Sequence, residues 1–185
     1  MMSNYPSFML LAALAVVANA QSQSKPPLKV VPEVDLYRYM GTWYEIARLP
    51  NSFQKKCVTE VTATYTLLDD GEITVVNRCR AENGEISEAR GCVKRASDDE
   101  PNSKLKVRFA PAFLSFLPFV WGDYWIIILP ADYSYAVIGE PDRKYLWILS
   151  RTPAMDETRF QGIIDQITQE GYDVTGLMRT NNLAK

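Results

Sequence analysis

The side chains that could perform catalysis in this sequence are carboxylates and cysteines, because the chain of 185 residues contains no histidine. That composition excludes Ser-His-Asp and Cys-His catalytic pairs, histidine-bound zinc and histidine-bound haem. Most carboxylates lie in predicted turns, such as 69–70 and 98–100, where they are ordinarily solvated. We therefore predict that the protein is not an enzyme and has no catalytic residue, metal site or cofactor.

Glu45 differs from these carboxylates because it lies within a strand pattern, Gly41–Arg48. If Trp43 faces inward, the two-residue period of a strand turns Glu45 to the same side unless a bulge intervenes. A buried carboxylate needs a partner, which Arg48 or a tyrosine can provide. The pattern favours a satisfied structural charge, and a catalytic acid is the alternative.

Composition indicates one globular domain that does not bind nucleic acid. The length suits a single domain with a sizeable core. The chain has 20 Lys and Arg against 22 Asp and Glu, a net charge of -2. Nucleic-acid-binding domains carry a clustered basic excess, which this sequence lacks.

The N-terminus has the pattern of a signal peptide over residues 1–20. An apolar run is followed by Ala18-Asn19-Ala20, a typical cleavage site. An uncleaved membrane anchor is the alternative, but it needs about 20 apolar residues. The first cysteine is Cys57, so we expect no lipid anchor. The chain should be exported, to a periplasm, an outer membrane or the extracellular space, with an extended leader over 21–32 and a domain over 33–185.

A series of short alternating segments predicts eight strands, separated by turn signals such as Asp70-Gly71 and Asn83-Gly84. Eight strands in up-and-down order can close into a barrel with space for one small ligand. The strands are predicted at 41–48, 61–67, 73–78, 85–94, 104–109, 123–129, 135–138 and 145–151.

After Pro153 the pattern changes to the period of a helix, because Phe160, Ile163, Ile164 and Ile167 follow i, i+3, i+4 and i+7. The predicted fold is therefore all-β: an eight-stranded up-and-down antiparallel β-barrel with a C-terminal α-helix packed outside it.

Three short motifs resemble the signatures of the lipocalin family. They are the Gly-x-Trp-Tyr run at 41–44, the Asp-Tyr-Ser-Tyr-Ala run at 132–136, and Arg151. The runs 122–129 and 145–152 are similar to the branch that contains bacterial outer-membrane lipocalins, plant temperature-induced lipocalins and apolipoprotein D. The resemblance implies a barrel that binds fatty acids or lysophospholipids, in lipid transport or membrane stress.

The structural signature of this resemblance is Gly41, Trp43 and Arg151. First and last strands are neighbours in a closed barrel, so Arg151 can lie across the Trp43 indole and fasten the seam. Such a cation–π contact is worth roughly 0.5–2 kcal/mol. We expect Trp43, Arg151 and Leu149 to fill the closed end.

Alternation anchored on these motifs predicts the inward-facing side chains. They are mostly apolar with a few hydroxyls and one amide, which suits an acyl chain. The predicted ligand-binding residues are Val61, Ala63, Tyr65, Val75, Asn77, Ala89, Val107, Phe109, Tyr124, Ile126, Ala136, Ile138, Tyr145 and Trp147, and Ile128 is predicted to share their face.

The three cysteines, Cys57, Cys79 and Cys92, leave at least one unpaired. Alternation puts Cys79 on the inner face with Val75 and Cys92 on the outer face. Cys57 follows the first strand, at the barrel end where Cys79 also falls. We expect a Cys57–Cys79 disulfide, with three reduced cysteines as the alternative.

The predicted loop 111–121 holds seven large apolar side chains, although it is too short and proline-rich to span a bilayer. Counting strands places it at the open end of the barrel. Exposed apolar surface of this kind marks an interaction site. Either the loop folds back over the ligand entrance, or it contacts a membrane or a protein.

These observations predict a protein that binds, stores or transports a hydrophobic small molecule. Its partner would be a lipid or a similar ligand, with peripheral membrane contact through 111–121. The alternatives are a lipocalin-fold enzyme, a redox scavenger that uses a free cysteine or methionine, and a module that docks on a membrane partner through its loop.

Overall fold

A computed structural model describes residues 25–182 of the chain. The predicted signal peptide and the first part of the leader lie outside the described residues. The helices are α1 (Leu36–Tyr39) and α2 (Glu157–Gln169), and the strands are β1 (Gly41–Arg48), β2 (Thr59–Leu67), β3 (Ile73–Arg80), β4 (Ile86–Arg95), β5 (Lys104–Arg108), β6 (Gly122–Ile128), β7 (Tyr135–Gly139), β8 (Leu146–Ser150) and β9 (Met178–Arg179).

Eight strands close into an antiparallel barrel, as predicted. They pair in chain order from β2 to β8, and β1 joins β8 on one side and β2 on the other. Helix α2 packs outside the barrel, with Phe160, Ile163 and Ile167 buried in the layer between them. Asp156 caps the helix by accepting a hydrogen bond from the Arg159 N–H.

The ninth strand is a feature that the sequence analysis does not predict. β9 pairs with the end of β1 at Ala47 and Arg48, beyond the point where β1 pairs with β2. On its other side, Asn181 forms a bridge with Thr59. The C-terminal segment therefore fills the gap between β1 and β2, and two residues are too few to show a strand period.

The two ends of the barrel differ. Helix α1 immediately precedes β1 and covers the end where β1 begins, and Tyr39 and Trp43 are buried there. We call this end the floor. The opposite end, which we call the mouth, carries the loops 49–58, 81–85, 109–121 and 140–145.

Register shifts change which side chains face inward, and besides one between Thr59 and Thr62 in β2 there are β-bulges in β1 and β6. The register shifts between Glu45 and Ala47 in β1, and between Ile126 and Ile128 in β6. The second bulge turns Ile128 outward, into the apolar layer under α2. The prediction that Ile128 faces inward is therefore wrong, because a bulge inserts a residue and reverses the alternation beyond it.

Arg151 joins three elements at the floor. Its guanidinium carbon lies 3.7 Å from the centre of the Trp43 ring. Its N–H groups donate to the carbonyls of Thr42, at 3.0 Å, and of Arg38 and Tyr39, at 2.7 and 3.1 Å. The end of β8 is thus tied to α1 and to the start of β1.

Arg151→Ala should lower the melting temperature by about 3–10 °C, because it removes the cation–π contact and leaves backbone carbonyls without donors. Ligand affinity should change much less, since the contact lies at the floor. Thermal denaturation and a ligand titration measure both. Arg159→Ala is the control, because Arg159 lies 5.7 Å from the Tyr135 ring on the exposed outer surface. Unchanged melting with lost affinity would contradict the assignment.

Candidate ligand-binding site

Strand register places most of the predicted ligand-binding residues on one inner face. Across neighbouring strands, Ala63 lies opposite Asn77, Asn77 opposite Ala89, and Ile138 opposite Trp147. Their contact with a ligand remains a prediction. The residues on this face are Ala63, Tyr65, Val75, Asn77, Ala89, Val107, Tyr124, Ile126, Ala136, Ile138 and Trp147.

Packing divides this inner face into a filled part and an open part. Ile126, Ala136 and Ile138 have no exposed surface and belong to the packed core. Ala63 and Trp147 are half-buried. The inner face therefore combines completely packed side chains with others that remain partly accessible.

Val61 and Phe109 mark the upper edge of the wall. Val61 is buried, and its N–H donates to Asn182 Oδ1 at 2.9 Å. Phe109 follows β5 and is exposed. A Cβ atom on Gly91 would come within 2.9 Å of the Phe109 ring, so the missing side chain at Gly91 allows this ring to lie against the wall.

Three aromatic rings pack together at the mouth. Phe53, from the loop 49–58, lies 5.4 Å from Tyr145 and 6.1 Å from Trp147, measured between ring centres. Tyr145 and Trp147 are 6.1 Å apart. Gln54 Oε1 accepts a hydrogen bond from Trp147 Nε1 at 2.8 Å. The loop 49–58 is therefore tied to the inner wall through both apolar and polar contacts.

A buried ion pair lies below this loop. The β1 bulge turns both Glu45 and Arg48 inward, where Arg48 Nη1 donates to Glu45 Oε1. Thr180 donates to the same oxygen at 2.6 Å, and Gln54 Nε2 donates to Oε2 at 2.9 Å. Arg48 also binds the Cys57 carbonyl at 3.1 Å. Both carboxylate oxygens accept hydrogen bonds. This supports the interpretation of Glu45 as a satisfied structural charge.

Gln54 and Thr180 are members of this cluster that sequence reasoning missed. Gln54 lies in a loop and Thr180 directly follows the two-residue strand β9. Neither position belongs to a periodic segment, and Thr180 is 135 residues from its partner Glu45. Closure of the barrel brings Thr180 to Glu45, whereas the fold of the loop 49–58 brings Gln54 there.

The cysteines are arranged as expected from alternation. Cys57 and Cys79 form a disulfide, with their Cα atoms 5.4 Å apart. Cys92 is free and half-buried. Burial, followed by a hydrogen bond to Glu72, raises the pKa of the Cys92 thiol. The reactive thiolate is thus disfavoured, which weighs against peroxide scavenging at Cys92.

Three tyrosine hydroxyls meet just above the floor. Tyr65 donates to the Tyr124 oxygen at 2.8 Å, and the hydroxyls of Tyr39 and Tyr124 are 2.7 Å apart. Burial raises the pKa of all three. The hydroxyls consequently stay protonated at every physiological pH.

The loop 111–121 forms an exposed apolar edge beside the mouth. It contains two short 3-10 helices, Ala112–Leu114 and Pro118–Val120. Phe113, Phe116 and Phe119 are 74%, 76% and 80% exposed. These three rings are therefore largely in contact with solvent.

Residues 25–182 contain no helix that is both long and apolar enough to cross a membrane. The same stretch holds no group of three or more His, Cys, Asp or Glu side chains suited to a metal ion.

A closed eight-stranded antiparallel barrel with an apolar inner wall and an external helix is a calyx-type fold. The sequence profile of the Lipocalin-like domain matches residues 34–182. The chain therefore belongs to the lipocalin family, whose members bind small hydrophobic ligands.

Similar proteins agree with the branch that the motifs indicated. Temperature-induced lipocalin-1 of Arabidopsis thaliana is 43% identical over 84% of this chain and 83% of its own length. Outer membrane lipoprotein Blc of Escherichia coli K12 is 39% identical, covering 89% and 88%. Apolipoprotein D of Mus musculus is 31% identical, covering 92% and 90%. Insecticyanin of Manduca sexta shares the fold, with a TM-score of 0.64, 21% identity, and coverage of 88% of this chain and 87% of its own.

Glu45→Gln should destabilise the protein by about 3 kcal/mol, because it leaves the buried Arg48 cation without its counter-ion. The double variant Glu45→Gln, Arg48→Met should recover most of this loss, since replacing both members of a buried pair by neutral groups is often nearly neutral. Urea denaturation measures both values. Equal destabilisation by the single and the double variant would contradict the ion-pair interpretation.

Proposed function

We propose that this protein is an exported, non-enzymatic carrier that binds the acyl chain of a fatty acid or lysophospholipid. The observation that carries the proposal is the apolar inner face of the barrel, on which some side chains are completely packed and others are half-buried. Half-buried apolar side chains there, such as Ala63, Val107 and Trp147, gain burial when an acyl chain enters. Each buried methylene contributes about 0.8 kcal/mol.

Ala63→Trp should abolish acyl-chain binding without unfolding the barrel, because it fills the open part of the inner face. Ala136 is unsuited to this test, since it lies in the packed core with no exposed surface. Binding is measured by the quenching of tryptophan fluorescence, with Trp147 as the reporter. The control is Thr66→Trp, on the exposed outer face of β2. Unchanged binding in Ala63→Trp would contradict the proposed site.

We further propose that the mouth contacts a lipid surface. Phe113, Phe116 and Phe119 are exposed on one side of the mouth. On the loop 49–58, Phe53 is exposed beside two exposed lysines, Lys55 and Lys56. Aromatic and basic side chains together suit a membrane with anionic headgroups.

Phe116→Asp should slow ligand uptake from anionic vesicles at least severalfold, because a carboxylate disfavours contact with the bilayer. Affinity for a ligand already in solution should not change. Stopped-flow transfer from vesicles and an equilibrium titration separate the two. Tyr37→Asp is the matched control, since Tyr37 is 80% exposed near the floor, at the other end of the molecule. Equal slowing by both variants would argue against docking through the mouth.

The proposal of export rests on the sequence alone. N-terminal sequencing of the exported protein should begin near Gln21, and labelled fatty acid should not be incorporated covalently. Blc is named an outer membrane lipoprotein, whereas the first cysteine here is Cys57. A lipid-modified or uncleaved N-terminus would contradict the proposal.

A further inference from the structure

The three tyrosines above the floor have one more hydroxyl proton than there are hydrogen bonds between them. Tyr39, Tyr65 and Tyr124 supply three O–H donors, but only two hydrogen bonds join them. Tyr65 donates to Tyr124, and the remaining bond uses the proton of either Tyr39 or Tyr124. No other acceptor of these hydroxyls lies within residues 25–182. One O–H donor therefore stays unpaired.

The unpaired donor is buried. Tyr39, Tyr65 and Tyr124 are each more than nine-tenths buried. A buried donor without a partner is unfavourable, because it has lost its hydrogen bonds to water. Because burial raises the pKa of each tyrosine, the group does not escape this cost by ionising.

Small residues separate these hydroxyls from the mouth. On the inner face, Ala63 is the next residue above Tyr65 along β2, and Gly122 is the next above Tyr124 along β6. Gly122 carries no side chain, and Ala63 is half-buried. Between Val61 at the upper edge of the wall and the tyrosines, these two strands present only Ala63 and Gly122 on the inner face.

The chemistry of the floor favours a neutral acceptor over an anion. Arg151 binds the Tyr39 carbonyl at the floor, and its guanidinium is already engaged by Trp43 and by three backbone carbonyls. A carboxylate at this depth would lack a counter-ion, and burying an unpaired charge is strongly unfavourable. A ketone, aldehyde or ester carbonyl accepts a hydrogen bond without that cost.

We infer that Tyr39, Tyr65 and Tyr124 form a subsite for a neutral carbonyl oxygen on the end of the ligand that enters the barrel first. The inference rests on the proposed function and narrows its ligand class. The preferred ligand is an elongated hydrophobic molecule with a carbonyl at its leading end, and the mouth holds its other end.

The test compares hexadecanoic acid with its 15-oxo derivative, which carries a ketone next to the end of the chain. The oxo acid should bind the wild-type protein about five- to tenfold more tightly, since it satisfies the unpaired donor. Competition against a fluorescent fatty acid measures both dissociation constants. Equal binding of the two acids, as expected if water occupies the subsite, overturns the inference alone. Failure of both acids to bind overturns the proposed function and the inference together.

The triple variant Tyr39→Phe, Tyr65→Phe, Tyr124→Phe should bind the two acids equally. All three changes are required, because any smaller set still leaves at least one unpaired hydroxyl. The variant should fold, since it keeps the rings and removes a donor that lacks an acceptor. Tyr37→Phe, on the exposed side of α1, is the control and should keep the preference for the oxo acid. A preference that persists in the triple variant contradicts the subsite, and the wild-type comparison decides the question even if the variant does not fold.

Discussion

The contact on which the rest of the structure depends is that of Arg151 with Trp43 and the carbonyls around it. A barrel must close on its last strand, and here one guanidinium joins the end of β8, the start of β1 and helix α1. Trp43 Nε1 donates to the Tyr39 carbonyl at 2.8 Å. Trp43 and Arg151 therefore both bind the carbonyl at the end of α1. These contacts link three elements at the floor, directly below the tyrosine hydroxyls.

The mouth is held by interactions that differ from those at the floor. Beyond Tyr44, β1 no longer pairs with β2, and β9 occupies the gap. The bulge in β1 then allows Glu45 and Arg48 to face inward together, where they bind the loop 49–58 through Gln54 and the Cys57 carbonyl. The disulfide to Cys79 fixes the end of this loop to β3. A buried ion pair and a disulfide thus hold the mouth, whereas a cation–π contact and hydrogen bonds to backbone carbonyls close the floor.

The sequence was sufficient to predict the barrel and the helix because both have strong periods. Alternation identified eight strands, and the i, i+3, i+4, i+7 spacing from Phe160 to Ile167 identified α2. β9 could not be predicted, since it is only two residues long. Ile128 was placed on the wrong face because a bulge leaves no mark in the alternation that precedes it.

The sequence predicted which side chains of the candidate site face the interior, but not how deeply each of them is buried. Alternation turns Ala63 and Ala136 toward the same interior, yet Ala63 is half-buried and Ala136 has no exposed surface. That difference depends on how closely opposite walls approach, which is a property of the closed barrel. The tyrosine cluster has the same origin, because its members come from α1, β2 and β6 and meet only across the interior.

The central claim, that the barrel holds a hydrophobic ligand, is tested most directly by native mass spectrometry of the protein after incubation with long-chain lipids. The account predicts one lipid bound noncovalently per chain in the wild-type protein and none in Ala63→Trp. A wild-type protein that gains no mass from any long-chain lipid would contradict the account.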